Sequence, residues 1–485
     1  MGHDASGDAI GHPHDHAAPP SVSGRDATGR DVTGSGDAAG LDTAGRDAAG
    51  RRALALRAAV AAGLLDDEQP VAGLLDVTGV RDSARALRDA FATPDVPVTH
   101  TFAVKAASLV PVLRLLDEEG IGCEVASPGE LALARAAGVP AERTVLDSPA
   151  KTRAELREAL DLGIAVNADN EEELTRLDAL LAERPSASPV GLRVNPQVGG
   201  GAIDAMSTAT ATSKFGVALR DPGAEERVVA AFAARPWLTR LHAHVGSQGC
   251  PLKLMAEGVR AAYELAERIN DTVGRRQVGT LDIGGGLPVN FTSDEVTPTY
   301  QEYADLLRGE VPGLFDGRYG IVTEFGRSLL AKHGTILARV EYAKSAGGRR
   351  IAVTHAGAQV ATRTVFAPDA WPLRVLALGP EGRPKRGEVV PQDVAGPCCF
   401  AGDVLARARE LPPLDEGDLI ALPDTGAYYF STHFHYNALP RPAVHGYLVA
   451  DDGSVRFVTV RERQTAAEIV AESGAAHAEG LAGLR

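Results

Sequence analysis

HTFAVKAASLVP, residues 100–111, runs apolar through Phe102, Ala103 and Val104 and then sets a lysine, Lys105, before a second apolar run. Lysine is among the residues least often buried. Taken alone, it reads as a strand end reaching water or as a charge that blocks edge pairing. The stretch decides more than its own fate, because it is the first of eight short apolar runs separated by Ala-, Leu-, Arg- and Glu-rich amphipathic segments. The runs are THTFAVKA, IGCEVAS, RTVLDS, GIAVNAD, VGLRVNP, TRLHAHVGS, GTLDIGGG and YGIVTEFGR. Such alternation marks repeated βα units. Eight of them in about 250 residues predict an α/β chain with a closed parallel TIM (β/α)8 barrel over residues 80–336. An open doubly wound sheet would want GxGxxG after its first strand; the run Gly284, Gly285 and Gly286 follows the seventh and has the wrong spacing.

On either side the composition changes. Residues 1–50 are Gly-, Ala-, Asp- and His-rich with recurring GRDA and GRDV units, which predicts a disordered tail. Its HPHDH run (His12, His14, His16) has no scaffold to make it a metal site. Beyond residue 337 strands with Pro and Gly turns, such as RRIAVTHAG and SVRFVTVRE, predict a second, β-rich domain, a sandwich or small barrel. It is expected to span 337–470 with 51–79 completing it, and 471–485 as a C-terminal tail. The net charge of −15 over 485 residues leaves no basic face for nucleic acid. No apolar run reaches the roughly 18 residues of a membrane span, and the N-terminus lacks a secretory pattern. The reading is a soluble cytoplasmic protein with a small-molecule substrate and no membrane partner. Cys123, Cys250, Cys398 and Cys399 are too scattered for a disulfide framework or a paired zinc site.

Working residues of a βα barrel sit at the C-terminal ends of its strands. Lys105 ends the first, Arg193 lies in the fifth, and His242 and His244 lie in the sixth, ahead of Ser247. The glycine triplet ends the seventh, and Glu324, Gly326 and Arg327 end the eighth. Glycines there let backbone N–H groups approach an anion, and Ser247 and Arg327 add a hydroxyl and a cation. A lysine desolvated opposite that cup is expected to have a lowered pKa and to attack an aldehyde. Phosphate cup and lysine together are what pyridoxal 5′-phosphate requires. Two rivals remain. His242 and His244, two apart on a strand, suit a metal-dependent TIM-barrel hydrolase, and a non-catalytic or regulatory pyridoxal-phosphate binder would share the cup.

The runs FAVKA, CEVASPGEL, LRVNP, SKFGV, HAHVGSQ, LDIGGGLP, EFGRSL, GPCCFAGDVLARARELPPLDEGD and DTGAYYFS…HYNALPRPA carry a family resemblance. The chain resembles the pyridoxal-phosphate-dependent amino-acid decarboxylases with an alanine-racemase-like barrel. Within them it is most similar to the diaminopimelate decarboxylases, and ornithine and arginine decarboxylases are more distant. The resemblance implies a carboxy-lyase acting on an amino acid, in a homodimer with shared active sites. It assigns Lys105 to covalent attachment of the cofactor and His244 to stacking on its ring. Ser247, Gly284, Gly285, Gly286, Arg327 and Tyr428 are assigned to phosphate, with Gly326 and Arg193 also at the cofactor. Glu324 is assigned to the ring nitrogen. A carboxylate there favours a protonated ring that can take up electrons, which argues for decarboxylation over racemisation. Cys399 is assigned to protonating Cα from the second subunit.

Some positions depart from the family pattern. Phe400 stands where an acidic residue receives the substrate's distal amine. Arg363 matches the arginine that takes a distal carboxylate, but His355 replaces an Asp before it and Ala367 a Tyr after it. Ala107 and Phe325 replace an Asn and a Pro beside the lysine and Glu324. These changes predict a reshaped pocket for a substrate with a distal carboxylate and no distal amine, as in a specialised biosynthetic branch.

Overall fold

A computed structural model describes residues 47–484. The expected tail, including His12, His14 and His16, therefore lies outside the described residues except for its last four positions. Three of those are already helical: α1 (Ala48–Ala61) starts on Asp47, whose carboxylate accepts the N–H of Gly50. α1 buries Ala55, Leu56 and Ala59 against Leu74, Leu337 and Tyr447.

The chain continues through β1 (Val71–Asp76) and α2 (Val77–Phe91). Then come β2 (Val98–Ala103), β3 (Gly122–Val125), β4 (Thr144–Asp147), β5 (Ala165–Ala168) and β6 (Val190–Asn195). A two-residue β7 (Val217–Ala218) precedes β8 (Leu238–Ala243), β9 (Thr280–Asp282) and β10 (Gly320–Phe325). Strands pair in the order β5-β4-β3-β2-β10-β9-β8-β6, and β5 pairs with β6, which closes a parallel eight-stranded barrel; β7 only extends β6. Helices begin where side-chain caps follow a strand. Ser127 accepts the N–H of Glu130 while Glu130 accepts that of Ala126, and Thr152 with Glu155 closes a capping box. Register then places the chemistry. β10 runs beside β2, so Glu324 opposes Thr101 two pairs from the turn that carries Lys105, and His242 lies between Arg193 of β6 and Asp282 of β9.

The second domain is β-rich, as expected, and is built on a mixed sheet. Its strands are β11 (Gly334–Ala346), β12 (Arg349–Thr354), β13 (Leu376–Leu378), β14 (Val390–Ala395), β15 (Val404–Leu411), β16 (Leu419–Pro423), β17 (Ala443–Val449) and β18 (Val455–Arg461). They pair as β15-β14-β12-β11-β1-β17-β18, with β16 joining β11 to β13. β1 lies at the centre, antiparallel to β11 and parallel to β17. A helix, Ala358–Phe366, follows β12 and carries Arg363. The segment after β16 returns to the barrel, where the N–H of Tyr428 and the hydroxyl of Ser431 both donate to Ala106 O, at 2.8 and 3.0 Å. Gly426 makes that return possible, since a Cβ there would sit 1.9 Å from Leu330 O. Among the described residues, no helix is long and apolar enough to cross a membrane.

Candidate active site

The barrel interior beneath Lys105 is charged. Lys105 Nζ donates to Glu124 Oε2 at 2.6 Å; the carboxylate is buried, while the lysine side chain shows about half its surface to the cavity above it, 48 %. Burial pulls the amine down, but Glu124, with Tyr428 and Glu324, outweighs it and raises the amine above the ordinary lysine value. This corrects the expectation of a depressed amine: the pocket supplies a carboxylate as well as low dielectric, so Lys105 rests as an ammonium. Burial and Asp147 raise Glu124 in turn, against the pull of Lys105, so a proton shared across 2.6 Å has a place on either group.

His242, fully buried, places Nδ1 3.6 Å from Asp147 and Nε2 3.5 Å from Glu324. Burial works against its charge, yet Asp147, Glu324 and Asp282 together hold it well above the ordinary histidine range. Arg193 pairs with Asp147 at 2.8 Å and lies 4.4 Å over the Phe215 ring. It does not line the cavity, so its reach upward is electrostatic. Burial and then Asp282 push Glu324 up to about 8, against His242. His242, His244 and Glu324 bring ligand-type atoms within 4.8 Å of one another, as the hydrolase reading expects. His244 Nδ1 already accepts the N–H of Gly285 at 3.2 Å, while both ring nitrogens of His242 are buried without a hydrogen-bond partner.

A cavity of about 240 Å³ opens above this layer. Its walls include Lys105, His244, Ser247, Gly286, Glu324, Gly326, Arg327, Arg363 and Tyr428. Gly284 and Gly286 take φ of +66° and +97°, and a Cβ on Gly286 would sit 1.8 Å from Gly246 O. Only Gly286 of the triplet lines the cavity. The N–H groups of Gly284 and Gly285 go to Asp282 and His244, so the triplet shapes the cup and anchors the imidazole more than it donates to an anion. Burial, then Arg193, His242 and Lys105, hold His244 well below the ordinary histidine range. It is a neutral ring whose Nδ1 is an acceptor.

Arg327 and Arg363 form the opposite wall. Both guanidiniums lie against the rings of Trp371 and Tyr428, 4.3–4.9 Å from the centroids. Nε and Nη1 of Arg327 and Nη1 of Arg363 are buried with no hydrogen-bond partner.

The sequence profile of the pyridoxal-dependent decarboxylase family's pyridoxal-binding domain matches residues 78–331. A diaminopimelate decarboxylase of Pseudomonas fluorescens is 35% identical over 381 residues, 78% of this chain and 86% of that protein. One of Aquifex aeolicus is 30% identical over 384 residues, 79% of this chain and 87% of that protein. A crystal structure of diaminopimelate decarboxylase from M. jannaschi superposes with a TM-score of 0.73 at 25% identity, covering 83% of this chain and 91% of that one. The chain belongs to the pyridoxal-dependent decarboxylases.

The site fits that family's cofactor. A cup that excludes Cβ atoms, a neutral flat imidazole, a carboxyl carrying a proton and a lysine at the same cavity are what an anionic aldehyde with a basic ring nitrogen needs. Glu124, Asp147, Asp282 and Trp371 contact the cavity residues or their immediate neighbours and were not singled out from the sequence. For the acids, the available signal was one charge at an inward position of otherwise apolar GCEV, TVLD and TLD strands.

Other decarboxylase positions fall elsewhere. Cys399 and Phe400 do not line the cavity. Cys399 is exposed, with its N–H donating to Asn437 Oδ1 at 2.6 Å. Phe400 stacks on Phe366 at 5.6 Å and 6° and meets Tyr436 edge-on at 5.1 Å. Phe325 and Ala107, expected to reshape the pocket, are core residues. Phe325 packs against Phe91, Tyr300 and Tyr303, and Ala107 is 1 % exposed. His355 binds Glu341 at 2.9 Å, away from the cavity.

Proposed function

We propose that this decarboxylase removes the α-carboxylate of an amino acid whose side chain ends in an acidic group and carries no ammonium, with a second copy of the chain completing each site. The supporting observation is the wall of Arg327 and Arg363: two guanidiniums share one cavity, and Glu324 is the only carboxylate among the described residues lining it. Phe400 at the family's acidic position agrees with this, because a distal ammonium would lose a charge-assisted hydrogen bond of about 1.5–3 kcal/mol.

Pyridoxal phosphate, when bound, supplies an aldehyde for the amino group and a ring that takes up the electron pair left at Cα as carbon dioxide departs. The remaining work falls to the chain. Lys105 hands a proton to Glu124 across their 2.6 Å contact and so exposes a nucleophilic amine. Glu324, holding a proton near neutral pH, shares it with a basic ring nitrogen, and His242 behind it, fixed by Asp147, steadies the charge that results. Gly285 keeps the His244 ring in one orientation. Cys399, exposed on its own subunit, suits a proton donor lent to the partner's cavity, and the Phe366–Phe400 pair beside it suits burial at that contact.

The test is carbon dioxide release from a panel of α-amino acids with purified, cofactor-loaded protein. Turnover of acidic side chains such as glutamate or 2-aminoadipate above diaminopimelate, lysine and ornithine is expected. Preference for diaminopimelate would overturn the substrate reading. A monomer at working concentration, by sedimentation, would overturn the shared site.

A further inference from the structure

Trp371, one of two tryptophans in the chain, lies in APDAWPLRVL, a stretch with no periodicity to mark it. It is buried and does not line the cavity. Its ring centroid lies 4.5 Å from the guanidinium carbon of Arg327 and 4.9 Å from that of Arg363. The Tyr428 ring lies 4.6 and 4.3 Å from the same two carbons. Two cations thus rest against two rings. Burial, and then the neighbouring Arg363, pull Arg327 down to about 10, and burial lowers Arg363 as well. Like charges held this close repel, and the aromatic faces are what offsets the repulsion.

Both rings are fastened. The backbone N–H of Trp371 donates to Ala367 O at 3.0 Å, and Phe291 meets its ring edge-on at 6.5 Å and 81°. Three residues on, Arg374 grips Asp424 Oδ2 with Nε at 3.2 Å and Nη2 at 2.9 Å. Asp424 opens the segment that carries Tyr428. The two rings are therefore tied to each other through an ion pair, independently of the arginines between them.

We propose that Trp371 is a positioning residue: with Tyr428 it fixes the spacing and tilt of Arg327 and Arg363, both of which line the cavity, so that the two guanidiniums act on a single anion. The proposed function enters only in taking that anion to be the acidic end of the substrate. Without the indole face, the guanidiniums separate and no longer converge. A planar ring of another kind preserves the arrangement; an aliphatic side chain of similar bulk does not.

The experiment uses the pyridoxal-phosphate-loaded protein and glutarate, a dicarboxylate without an amine. Calorimetric titration is expected to show binding to the native protein, affinity within about twofold for Trp371→Phe, and at least about tenfold weaker binding for Trp371→Leu, with cofactor absorbance alike in all three. A second measurement does not depend on Trp371→Leu folding. In Trp237→Phe, whose only tryptophan is Trp371, glutarate is expected to change the emission at the concentrations that give heat. No glutarate binding by the native protein, native affinity in Trp371→Leu, or unchanged Trp371 emission at saturating glutarate would each overturn the proposal. Any of these with pyridoxyl-modified Lys105 still recovered after borohydride leaves the decarboxylase assignment intact; loss of that adduct defeats the latter separately.

Discussion

The two walls of the cavity handle charge in opposite ways. On the barrel side buried charges meet their opposites: Lys105 meets Glu124, Arg193 meets Asp147, and His242 lies 3.6 Å from the same Asp147. On the other side Arg327 and Arg363 meet only aromatic rings. A matched wall can shuttle protons without changing its net charge, which suits chemistry at a cofactor. An unmatched wall of cations is completed by something that arrives from outside. Under the proposed function, the difference separates the residues that run the reaction from those that choose what is reacted.

The largest expected effect is on the matched wall. Glu324→Gln removes the proton offered to the cofactor ring while leaving a side chain of similar shape. Decarboxylation should fall about 10²–10⁴-fold with cofactor still bound, read by carbon dioxide release beside cofactor absorbance; undiminished turnover would break the division between the walls. Next is the choice of substrate. Phe400→Glu should raise turnover of diaminopimelate relative to an acidic amino acid by about ten- to a hundredfold, the equivalent of one charge-assisted hydrogen bond. No change in that ratio would mean that Phe400 does not face a substrate.

A smaller effect sharpens the contrast at Lys105. Glu124→Gln takes away the carboxylate that raises the amine, so the amine's pKa should fall and cofactor capture should persist to lower pH than in the native protein. Stopped-flow absorbance during reconstitution measures this, and an upward shift would contradict the ion-pair assignment.

The smallest effect concerns stability. Burial depresses His100 to about 4, His333 to about 3 and His433 to about 4, none of them with a carboxylate partner. Below the ordinary value of 6.5 the unfolded chain takes up protons that the folded one refuses, so these residues cost stability as pH falls from 6.5 towards 4. His242, held above 6.5 by its carboxylates, does the reverse: its contribution is full below 6.5 and fades as pH rises through its raised value. Thermal unfolding should therefore show falling stability from pH 6.5 to pH 4, and a flat profile there would contradict the burial of these imidazoles in neutral form.

Much of this was legible in the sequence. The barrel could be read because β-branched runs alternate with capped amphipathic helices, and because each strand end is a short motif in its own right. Lys105, His244, Ser247, Gly286, Glu324, Arg327, Arg363 and Tyr428 do converge on one cavity. What escaped depends on partners across strands. Glu124 is nineteen residues from Lys105, and no local pattern says that an acid in GCEV faces that amine. The lysine was consequently expected to be depressed when it is raised. Trp371 escaped because its contacts come from a loop, where periodicity carries no information. Phe325 looked like a pocket substitution beside Glu324, but inward and outward positions alternate along a strand, and its ring belongs to the core.

The most direct test of the account is borohydride reduction of the native, cofactor-loaded protein followed by peptide mapping. The peptide containing Lys105 is expected to carry the pyridoxyl group, and Lys105→Ala is expected to yield none. Recovery of the adduct on another lysine, or of no adduct in the presence of excess pyridoxal phosphate, would contradict it.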